Sequence, residues 1–500
     1  MTQEMAQEQT IQDDPIAVRK AKRAALMAHG QEAYAYRFAV SAKAAQLAQD
    51  YAQLENGQTT TDVVSVAGRI MALRDQGKIL FMVLADDSGQ IQLFCRINTL
   101  GEEQFDALRQ LDVGDFVGCT GAVMRTRRGE LSLAAECVVL LTKALRPLPE
   151  KFHGLNDKET RYRQRYVDLI MNPEVKSVFI KRFKIIDALR REATARGFIE
   201  VETPMLHPIP GGATARPFIT HHNTLDKDLY LRVAPELHLK RLLVGGFERV
   251  FEINRSFRNE GMDHTHNPEF TMLEAYQAYT DADGIADFTR ELIQAACLAA
   301  QDTLEIEYQG QQLNLGGTWP KRSMIELTSQ ALGQELSYSQ DVKELTALAN
   351  RHHIATLPGW GTGKLIAVLF EKLVEDTITH PVFVTEHPLE TSPLAKKKAG
   401  NALVTDRYEL MIAGREYANL FSELNDPVDQ RERFAAQMVA KAAGDEEAMG
   451  YDEDYIRALE YGMPPAGGVG IGVDRLVMLL TNAVSIKDVL LFPHMRDEER

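Results

Sequence analysis

Residues 251–276 bring an arginine, a glutamate and a phenylalanine together in a pattern of two strands joined by a loop. Apolar and polar residues alternate from Phe251, as in a half-buried strand. Arg258 and Glu260 stand two residues apart, so on a strand both would face the same side. After turn-forming residues, Phe270 leads into a second strand-like run. A single Arg-x-Glu pair is usually a surface ion pair, but with an aromatic ring nearby the set could bind the phosphate and base of a nucleotide.

Residues 406–424 contain four acidic side chains in a stretch that predicts a β-hairpin. A two-residue turn at 413–414 would place Glu409 and Glu416 diagonally on one face, with Cα atoms about 7–8 Å apart. Magnesium takes one or two carboxylates together with phosphate oxygens, so this pair predicts a magnesium site beside a nucleotide. A bulge would be needed to bring residues of the other parity to the same pocket, namely Asn419, Phe421 and Glu423.

The segment that precedes these residues in the chain predicts a small β-barrel. Five short β-rich runs separated by turn signals occur between residues 61 and 145, which favours an OB-fold. Such barrels bind single strands by stacking bases on aromatic rings beside basic groups. The candidate set here is Phe81 with Arg69, Arg74 and Gln92, although core packing is the ordinary role of any one such aromatic.

The remaining boundaries follow from composition. Residues 1–14 are polar and predict a disordered start, and residues 15–60 predict a helical extension whose basic helix spans 15–43. Two prolines begin a linker at 146–172. A long helix is then predicted from Pro173 to Arg196, with Asn172 as its N-cap and Gly197 as its stop.

Composition excludes several classes of protein. The hydrophobic fraction of 45% and the charged fraction of 25% are those of a globular protein, and no apolar run approaches the roughly 20 residues of a membrane span. The four cysteines lack Cys-x-x-Cys spacing, which argues against a structural zinc site and favours reduced thiols in the cytoplasm. The net charge is −15, but residues 15–43 carry six basic side chains against one acidic, so a local RNA-binding face is permitted. A phosphate loop at 359–364 is rejected because its spacing is one residue short.

Several of these strings resemble one enzyme family. FRNEG followed by HNPEF resembles motif 2 of the class II aminoacyl-tRNA synthetases, and GVGIGVDRL resembles motif 3. The helix and strand up to Leu206 resemble motif 1, which forms the dimer interface in that class. The barrel segment VSVAGRIMALRDQGKILF resembles the anticodon-binding barrel of the lysyl, aspartyl and asparaginyl enzymes. APELHLKR, TMLEAY and FSELNDP resemble the lysyl enzymes, from which the chain departs at Tyr417 and Leu420.

The resemblance implies an α+β, multidomain protein. An N-terminal OB-fold β-barrel would precede a class II synthetase catalytic domain at 173–500, built on an antiparallel sheet flanked by helices. The implied reaction is the activation of L-lysine by ATP to lysyl-adenylate, with release of pyrophosphate, and esterification of the 3′ end of tRNA(Lys). The implied protein is a cytoplasmic homodimer that uses Mg²⁺ and does not contact a membrane.

The resemblance also assigns roles to residues, with Arg258 as the catalytic group that bridges the two reactants. The residues expected to bind ATP are Arg258, Glu260, His266, Asn267, Phe270, Glu409, Glu416, Gly472 and Arg475. Those expected to bind lysine are Gly212, Glu236, Arg258, Glu274, Tyr276, Asn419, Phe421 and Glu423. Magnesium is expected on Glu409 and Glu416, and the tRNA anticodon on Arg69, Arg74, Phe81 and Gln92.

Three alternatives remain: aspartyl or asparaginyl specificity, a lysine ligase that acts on a protein, and a non-catalytic RNA-binding paralogue. The acidic pocket disfavours aspartyl or asparaginyl specificity, and the barrel disfavours a lysine ligase that acts on a protein. A non-catalytic paralogue is disfavoured by the presence of Arg258, Glu409, Glu416 and Arg475. Lysine specificity requires that Glu274 and Glu423 face the cavity and that no basic group neutralises them there.

Overall fold

The computed structural model describes residues 14–149, 155–442 and 448–498. The chain divides into two compact units, Met1–Asn156 and Asp157–Arg500. Residues 157–172, assigned above to the linker, therefore belong to the second unit. The predicted disordered start, residues 1–14, lies outside the described residues except for Asp14, whose side chain caps the first helix. Among the described residues, none of the helices combines the length and hydrophobicity that a membrane crossing requires.

The first unit is built on a closed five-stranded barrel, as predicted for an OB-fold. Its helices are Pro15–Ala28 (α1), Ala44–Asp50 (α2), Ile97–Leu100 (α3) and Glu102–Arg109 (α4). Its strands are Thr59–Asp75 (β1), Ile79–Ala85 (β2), Gln90–Arg96 (β3), Phe116–Arg125 (β4) and Leu131–Thr142 (β5), paired in the order β1-β2-β3-β5-β4. Alternate residues of β2 (Leu80, Met82 and Leu84) point into the barrel and are fully buried there.

The predicted helix over residues 15–43 is wrong in its C-terminal half, because α1 ends at Ala28. Gly30 follows with φ +72°, a left-handed conformation that stops a helix. The chain then runs along the barrel, where the Ala35 amide donates to the Leu141 carbonyl and the Ser41 amide to the Ser65 carbonyl. Barrel contacts thus replace helical hydrogen bonds in this segment.

The second unit is organised around a large sheet. The strands of the unit are Ile199–Glu200 (β6), Leu206–His207 (β7), Ile219–His222 (β8), Lys227–Leu231 (β9), Arg249–Phe257 (β10), Glu269–Ala278 (β11), Glu305–Tyr308 (β12), Gln311–Asn314 (β13), Lys321–Ser323 (β14), Val382–Thr385 (β15), Lys397–Lys398 (β16), Asn401–Thr405 (β17), Arg407–Ile412 (β18), Arg415–Ser422 (β19) and Ala466–Gly472 (β20). Eight of them form the large sheet, in the order β14-β15-β18-β19-β20-β11-β10-β6. Neighbouring strands in it are antiparallel except for the pairs β10–β6 and β14–β15, which confirms the predicted antiparallel-rich sheet.

Helices lie on both faces of this sheet. The helices are Lys158–Arg163 (α5), Arg165–Met171 (α6), Pro173–Ala195 (α7), Glu236–Val244 (α8), Ala282–Gln301 (α9), Met324–Leu332 (α10), Val342–Arg351 (α11), Thr362–Leu373 (α12), Pro427–Ala442 (α13), Glu453–Glu460 (α14), Val473–Thr481 (α15) and Ile486–Val489 (α16), with 3₁₀ turns at Glu375–Thr377 and Leu389–Thr391. Leu273 and Ala275 of β11 pack in one core with residues of α7, α9 and α15. Because strand side chains alternate, Glu274 and Tyr276 emerge on the opposite face, beside α8.

The long helix α7 begins and ends where the sequence predicts, with Gly197 at φ +81° after its last turn. Asn172 occupies the predicted N-cap position, but its side chain makes no capping hydrogen bond. Instead Asn172 Nδ2 donates to Asp168 Oδ1 at 2.7 Å, which ties α7 to α6.

Candidate active site

A cavity of about 200 Å³ opens on the face of the sheet opposite α7, α9 and α15, between β11, β19, β20 and the loop after β10. Its lining includes eight of the nine residues predicted to bind ATP: Arg258, Glu260, His266, Asn267, Phe270, Glu416, Gly472 and Arg475. The ninth, Glu409, lines the adjoining cavity described below. These residues come from strands far apart in sequence, and the sheet order brings them together.

Arg258 stands at the centre of this cavity. The β10–β11 ladder ends at the pair Phe257↔Glu269, so Arg258 is the first residue beyond it. Its amide still donates to the Pro268 carbonyl at 2.9 Å, and its guanidinium lies 5.1 Å from the centre of the Phe270 ring. Its Nε is buried and has no hydrogen-bond partner among the described residues. A buried donor of this kind is costly unless an acceptor such as a phosphate or carboxylate occupies the cavity.

Phe270 and Arg475 are held in place by a buried ion pair that sequence reasoning missed. Asp474 accepts from the Thr271 amide at 2.7 Å and from Arg182 Nη1 at 2.6 Å. Arg182 also donates to Thr271 Oγ1 at 3.1 Å. The ion pair therefore fixes Thr271, which follows Phe270, and Asp474, which precedes Arg475. Only the acid in GVGIGVDRL was visible in the sequence; its arginine partner lies on α7.

The loop between β10 and β11 closes over the same cavity. His266 Nδ1 lies 2.9 Å from Asp263 Oδ2, and its Nε2 lies 3.2 Å from Arg475 Nη2. Asn267 Nδ2 donates to the Glu269 carbonyl at 2.7 Å. Arg475 Nη1 in turn donates to the Glu416 carbonyl at 3.0 Å. These contacts form the rim of the cavity.

The β18–β19 hairpin has the turn and the bulge that the sequence requires. Ala413 and Gly414 have φ of +48° and +71°, as expected for a type I′ turn. Met411 pairs with Glu416, whereas Glu409 pairs with Asn419, because the register shifts between Leu410 and Met411. The bulge therefore brings Glu409, Glu416 and Asn419 to one cavity.

Carboxylates crowd the end of this hairpin. Burial, and then the charge of Glu409, raises the pKa of Glu416. Burial and the charges of Glu409 and Glu416 raise the pKa of Glu375 to about 7. Arg407 Nη2 binds one oxygen of Glu409 at 2.6 Å. The excess of negative charge fits a divalent cation held by Glu409 and Glu416 with phosphate oxygens. Within the described part of the chain, no three or more His, Cys, Asp or Glu side chains form a ready-made metal site.

A second cavity of about 250 Å³ shares Arg258, Glu416 and Asn419 with the first. Its lining also includes Gly212, Glu236, Phe421, Arg407 and Glu409. Gly212 has φ +91°, and a Cβ there would come within 3.3 Å of the Glu236 Cβ. Glycine thus lets the loop backbone approach Glu236 closely.

Three carboxylates predicted to bind lysine are all buried: Glu236, which lines this cavity, and Glu274 and Glu423, which do not. Tyr276 donates its hydroxyl to Glu274 Oε2 at 2.9 Å. Glycines of β20 make room for the cluster, because a Cβ on Gly468 would lie 2.2 Å from Glu423 Oε1 and 2.4 Å from the Tyr276 ring. Burial raises the pKa of Glu423, and Lys240 opposes that shift.

The expectation of a purely acidic pocket is wrong, because Lys240 lies within the cluster. Its Nζ lies 2.5 Å from Glu236 Oε1 and also forms an ion pair with Glu423. Moreover, Glu274, Tyr276 and Glu423 are absent from the described lining of either cavity. The structure therefore does not meet the requirement stated above, that Glu274 and Glu423 face the cavity without a basic group that neutralises them. The signal for Lys240 was available in APELHLKR, where glutamate and lysine stand four residues apart, the spacing of neighbours on one face of a helix.

Comparisons with known proteins agree with this geometry. A model of the class II tRNA synthetases (D, K and N) matches residues 157–496, and a model of the OB-fold nucleic acid binding domain matches residues 64–141. A lysine–tRNA ligase of Pelotomaculum thermopropionicum is 52% identical over 486 residues, 96% of this chain and 95% of that protein. Those of Carboxydothermus hydrogenoformans and Enterococcus faecalis are 51% and 50% identical, and each alignment covers 97% of this chain and 98% of the relative.

The chain belongs to the class II tRNA synthetases. The relatives also confirm the predicted lysyl subgroup. The two departures of this synthetase from the family pattern, Tyr417 and Leu420, are both buried in the core that includes residues of α7, α9 and α15. Tyr417 in addition borders the cavity that contains Arg258.

In the barrel, the structure brings together most of the predicted anticodon-binding set. Phe81 pairs with Arg74 on β1 and with Phe94 on β3, and the two phenylalanine rings are 5.3 Å apart. Arg74 Nη2 donates to Gln92 Oε1 at 3.3 Å. Phe94, with the Arg96 guanidinium 4.8 Å from its ring, was missed, although alternation from Gln92 would have placed both on this face.

Arg69 is placed differently from the rest of that set. It pairs with Ala85 at the other end of the β1–β2 ladder from Phe81. Its Nη1 donates to the Gly114 carbonyl at 2.9 Å, and its guanidinium lies 4.2 Å from the Phe116 ring. The structure therefore gives Arg69 partners within the barrel instead of grouping it with Phe81.

The rejected phosphate loop at 359–364 is occupied by a protein carboxylate. Glu390 Oε2 accepts from the Lys364 amide at 3.0 Å, at the N-terminus of α12. A Cβ on Gly361 would lie 2.3 Å from Glu390 Oε1. An anion already fills the position that a phosphate would take.

Proposed function

We propose that this synthetase is a lysine–tRNA ligase that makes lysyl-adenylate from L-lysine and ATP and then esterifies the 3′ end of tRNA(Lys). The observation that carries the proposal is the similarity over nearly the whole chain to lysine–tRNA ligases. The cluster of buried carboxylates at Glu236, Glu274 and Glu423 supports it. Three buried acids with one resident cation favour a substrate that brings further positive charge. An aspartate or asparagine side chain brings none.

The proposed mechanism relies on positioning and charge. The lysine carboxylate is already a nucleophile, so no general base is needed. One of its oxygens attacks the α-phosphorus of ATP, a P–O bond forms, and the bond to the departing pyrophosphate breaks. Arg258 bridges the two anions, which otherwise repel each other. The terminal ribose hydroxyl of the tRNA then attacks the lysyl carbonyl carbon, and AMP leaves.

Other groups of the chain hold the nucleotide. Phe270 and Arg475 stack on the two faces of adenine, and Glu260 accepts from its amino group. His266, Asn267 and Gly472 complete the nucleotide cavity. Glu409 and Glu416 would hold Mg²⁺, which supplies positive charge to the triphosphate when bound.

The partners and location are part of the proposal. The barrel binds the anticodon of the tRNA through Phe81, Arg74 and Gln92. A cytoplasmic homodimer is proposed, supported by exposed apolar side chains on α7 and β6, where Ile180, Phe183 and Ile199 are 48%, 56% and 52% exposed. Sedimentation should show a dimer that Phe183→Asp dissociates; an active monomeric parent would refute this part.

The activity is tested by ATP–pyrophosphate exchange with each of the twenty amino acids, followed by charging of tRNA(Lys). Exchange should depend on lysine. Exchange with aspartate or asparagine would favour the other subgroup enzymes, transfer of lysine to a protein would favour a protein ligase, and no exchange with any amino acid would favour a non-catalytic paralogue.

A further inference from the structure

Lys240 lies in the middle of the proposed lysine pocket and is itself a lysine. It follows Glu236 by one turn of α8, and its side chain is 0% exposed. Its Nζ pairs with Glu236 Oε1 and with Glu423, which come from distant parts of the chain. The same ammonium lies 5.1 Å from the Phe421 ring centre and 6.0 Å from that of Tyr276. The Lys240 ammonium thus has two carboxylates and two aromatic rings as partners.

The charged and titratable groups that face Lys240 come from each element packed around it. They are Glu236 on α8, Glu274 and Tyr276 on β11, Glu423 after β19 and Tyr455 on α14. Arg232, Arg241 and Arg407 act on these groups electrostatically. When all three carboxylates of the cluster are ionised, the single ammonium of Lys240 leaves two negative charges uncompensated.

That remaining charge matches the substrate. Free lysine carries two ammonium groups and one carboxylate, and Arg258 is assigned to the carboxylate. Glu423 Oε1 is buried without a hydrogen-bond partner among the described residues, so the Lys240 contact leaves one of its oxygens for a ligand. Without Lys240, two incoming ammonium groups would face three buried carboxylates, and one acid would have to stay protonated.

We propose that Lys240 is a positioning residue for the substrate: a resident ammonium that holds Glu236 and Glu423 ionised, so that the pocket carries the two negative charges that free lysine neutralises once Glu274 has ionised as well. The proposal rests on the proposed function, because it assumes that these carboxylates receive the amines of lysine. In the opposite arrangement, Lys240 would compete with the substrate for the same acids. Removing the ammonium would then leave the KM for lysine unchanged or lower it, whereas the proposal predicts a higher KM.

The test compares Lys240→Met, Lys240→Arg and the surface control Lys227→Met on an exposed strand. KM for lysine and KM for ATP are measured by pyrophosphate exchange, and the protons released on lysine binding by titration calorimetry in two buffers. In Lys240→Met the KM for lysine should rise roughly 30-fold or more, because one partner of a buried charge pair is lost. KM for ATP should stay within about twofold. About one more proton should be released per lysine bound, because without Lys240 one more acid is protonated in the empty pocket and ionises when lysine binds.

Lys240→Arg keeps the charge, so its proton count should equal that of the parent even if KM rises for steric reasons. This variant keeps the test decisive if Lys240→Met fails to fold. An unchanged or lower KM for lysine in Lys240→Met, or a changed proton count in Lys240→Arg, would overturn the proposal. If Glu423→Gln raises the KM for lysine while Lys240→Met does not, only this inference fails. If neither variant affects lysine, the pocket assignment itself is wrong.

Discussion

Binding of lysine should release a proton from Glu274, and this follows from how deeply that carboxyl is buried. Burial, and then the negative charge of Glu236, raises the pKa of Glu274 to about 8. The empty pocket therefore keeps this acid protonated at neutral pH. An ammonium placed beside it favours the ionised form, so that the proton must leave as lysine binds.

The magnitude follows from the same value. With a pKa of about 8, about 0.9 of the Glu274 sites carry the proton at pH 7. Lysine binding should thus release about 0.9 proton from this group at pH 7. Because a proton is released, the affinity for lysine should increase as pH rises towards 8, by up to about tenfold per pH unit. Above pH 8 the affinity should level off.

Titration calorimetry in two buffers of different ionisation enthalpy measures the proton count directly. Glu274→Gln removes the titrating group but keeps the size of the side chain, so its release should be lower than that of the parent by about 0.9 proton. Glu335→Gln, which changes an exposed glutamate in the same unit, should leave the count unchanged. Equal proton release by the parent and Glu274→Gln would show that this carboxyl does not meet the substrate ammonium.

Four further predictions follow from the geometry. Glu423→Gln should lower lysine-dependent pyrophosphate exchange by about 10²–10³-fold, with KM for ATP nearly unchanged, because a buried ammonium loses its charged partner; parallel losses in both parameters would point to misfolding instead. Glu409→Gln should raise the Mg²⁺ concentration needed for half-maximal exchange, and an unaltered magnesium titration would remove this residue from the metal site. Phe81→Ala should weaken tRNA(Lys) by about 1–3 kcal/mol in charging assays while exchange without tRNA stays constant; unchanged tRNA affinity would place the anticodon elsewhere. The folded-state pKa of Glu274 lies above its ordinary 4.5, so this group stabilises the fold at low pH. That stability is lost as pH rises from 4.5 to 8, by about 1.4 kcal/mol per pH unit. The free energies of unfolding of the parent and of Glu274→Gln should therefore diverge over this pH range, and the same pH dependence in both would contradict the raised pKa.

Features that depend on local pattern could be predicted from the sequence. Alternating residues and turn signals specify the barrel strands and the β18–β19 hairpin, down to the turn at Ala413 and Gly414. The parity conflict between Glu416 and Asn419 even required the bulge that the structure contains. In each case the information lies within about twenty residues, where periodicity and turn chemistry operate.

Features that depend on tertiary partners could not be read in the same way. Arg182 and Asp474 are 292 residues apart in sequence and meet only because α7 crosses the sheet beside α15. Helix α1 stops at Ala28 because the following segment binds the barrel, although its composition permits more helix. Lys240 lies within the motif APELHLKR, but its burial against Glu423 depends on the sheet order. The resemblance to the lysyl enzymes predicted the acidic residues of the pocket, but it did not predict that Lys240 pairs with two of them.

The central claim is that the buried acids with their resident lysine select a cationic side chain. It is tested most directly by comparing lysine with norleucine, which has nearly the same shape and lacks the terminal ammonium, in pyrophosphate exchange by the parent and by Glu423→Gln. The account predicts that the parent favours lysine by about 10⁴-fold in kcat/KM and that the variant loses most of this preference. Comparable activation of lysine and norleucine by the parent would contradict it.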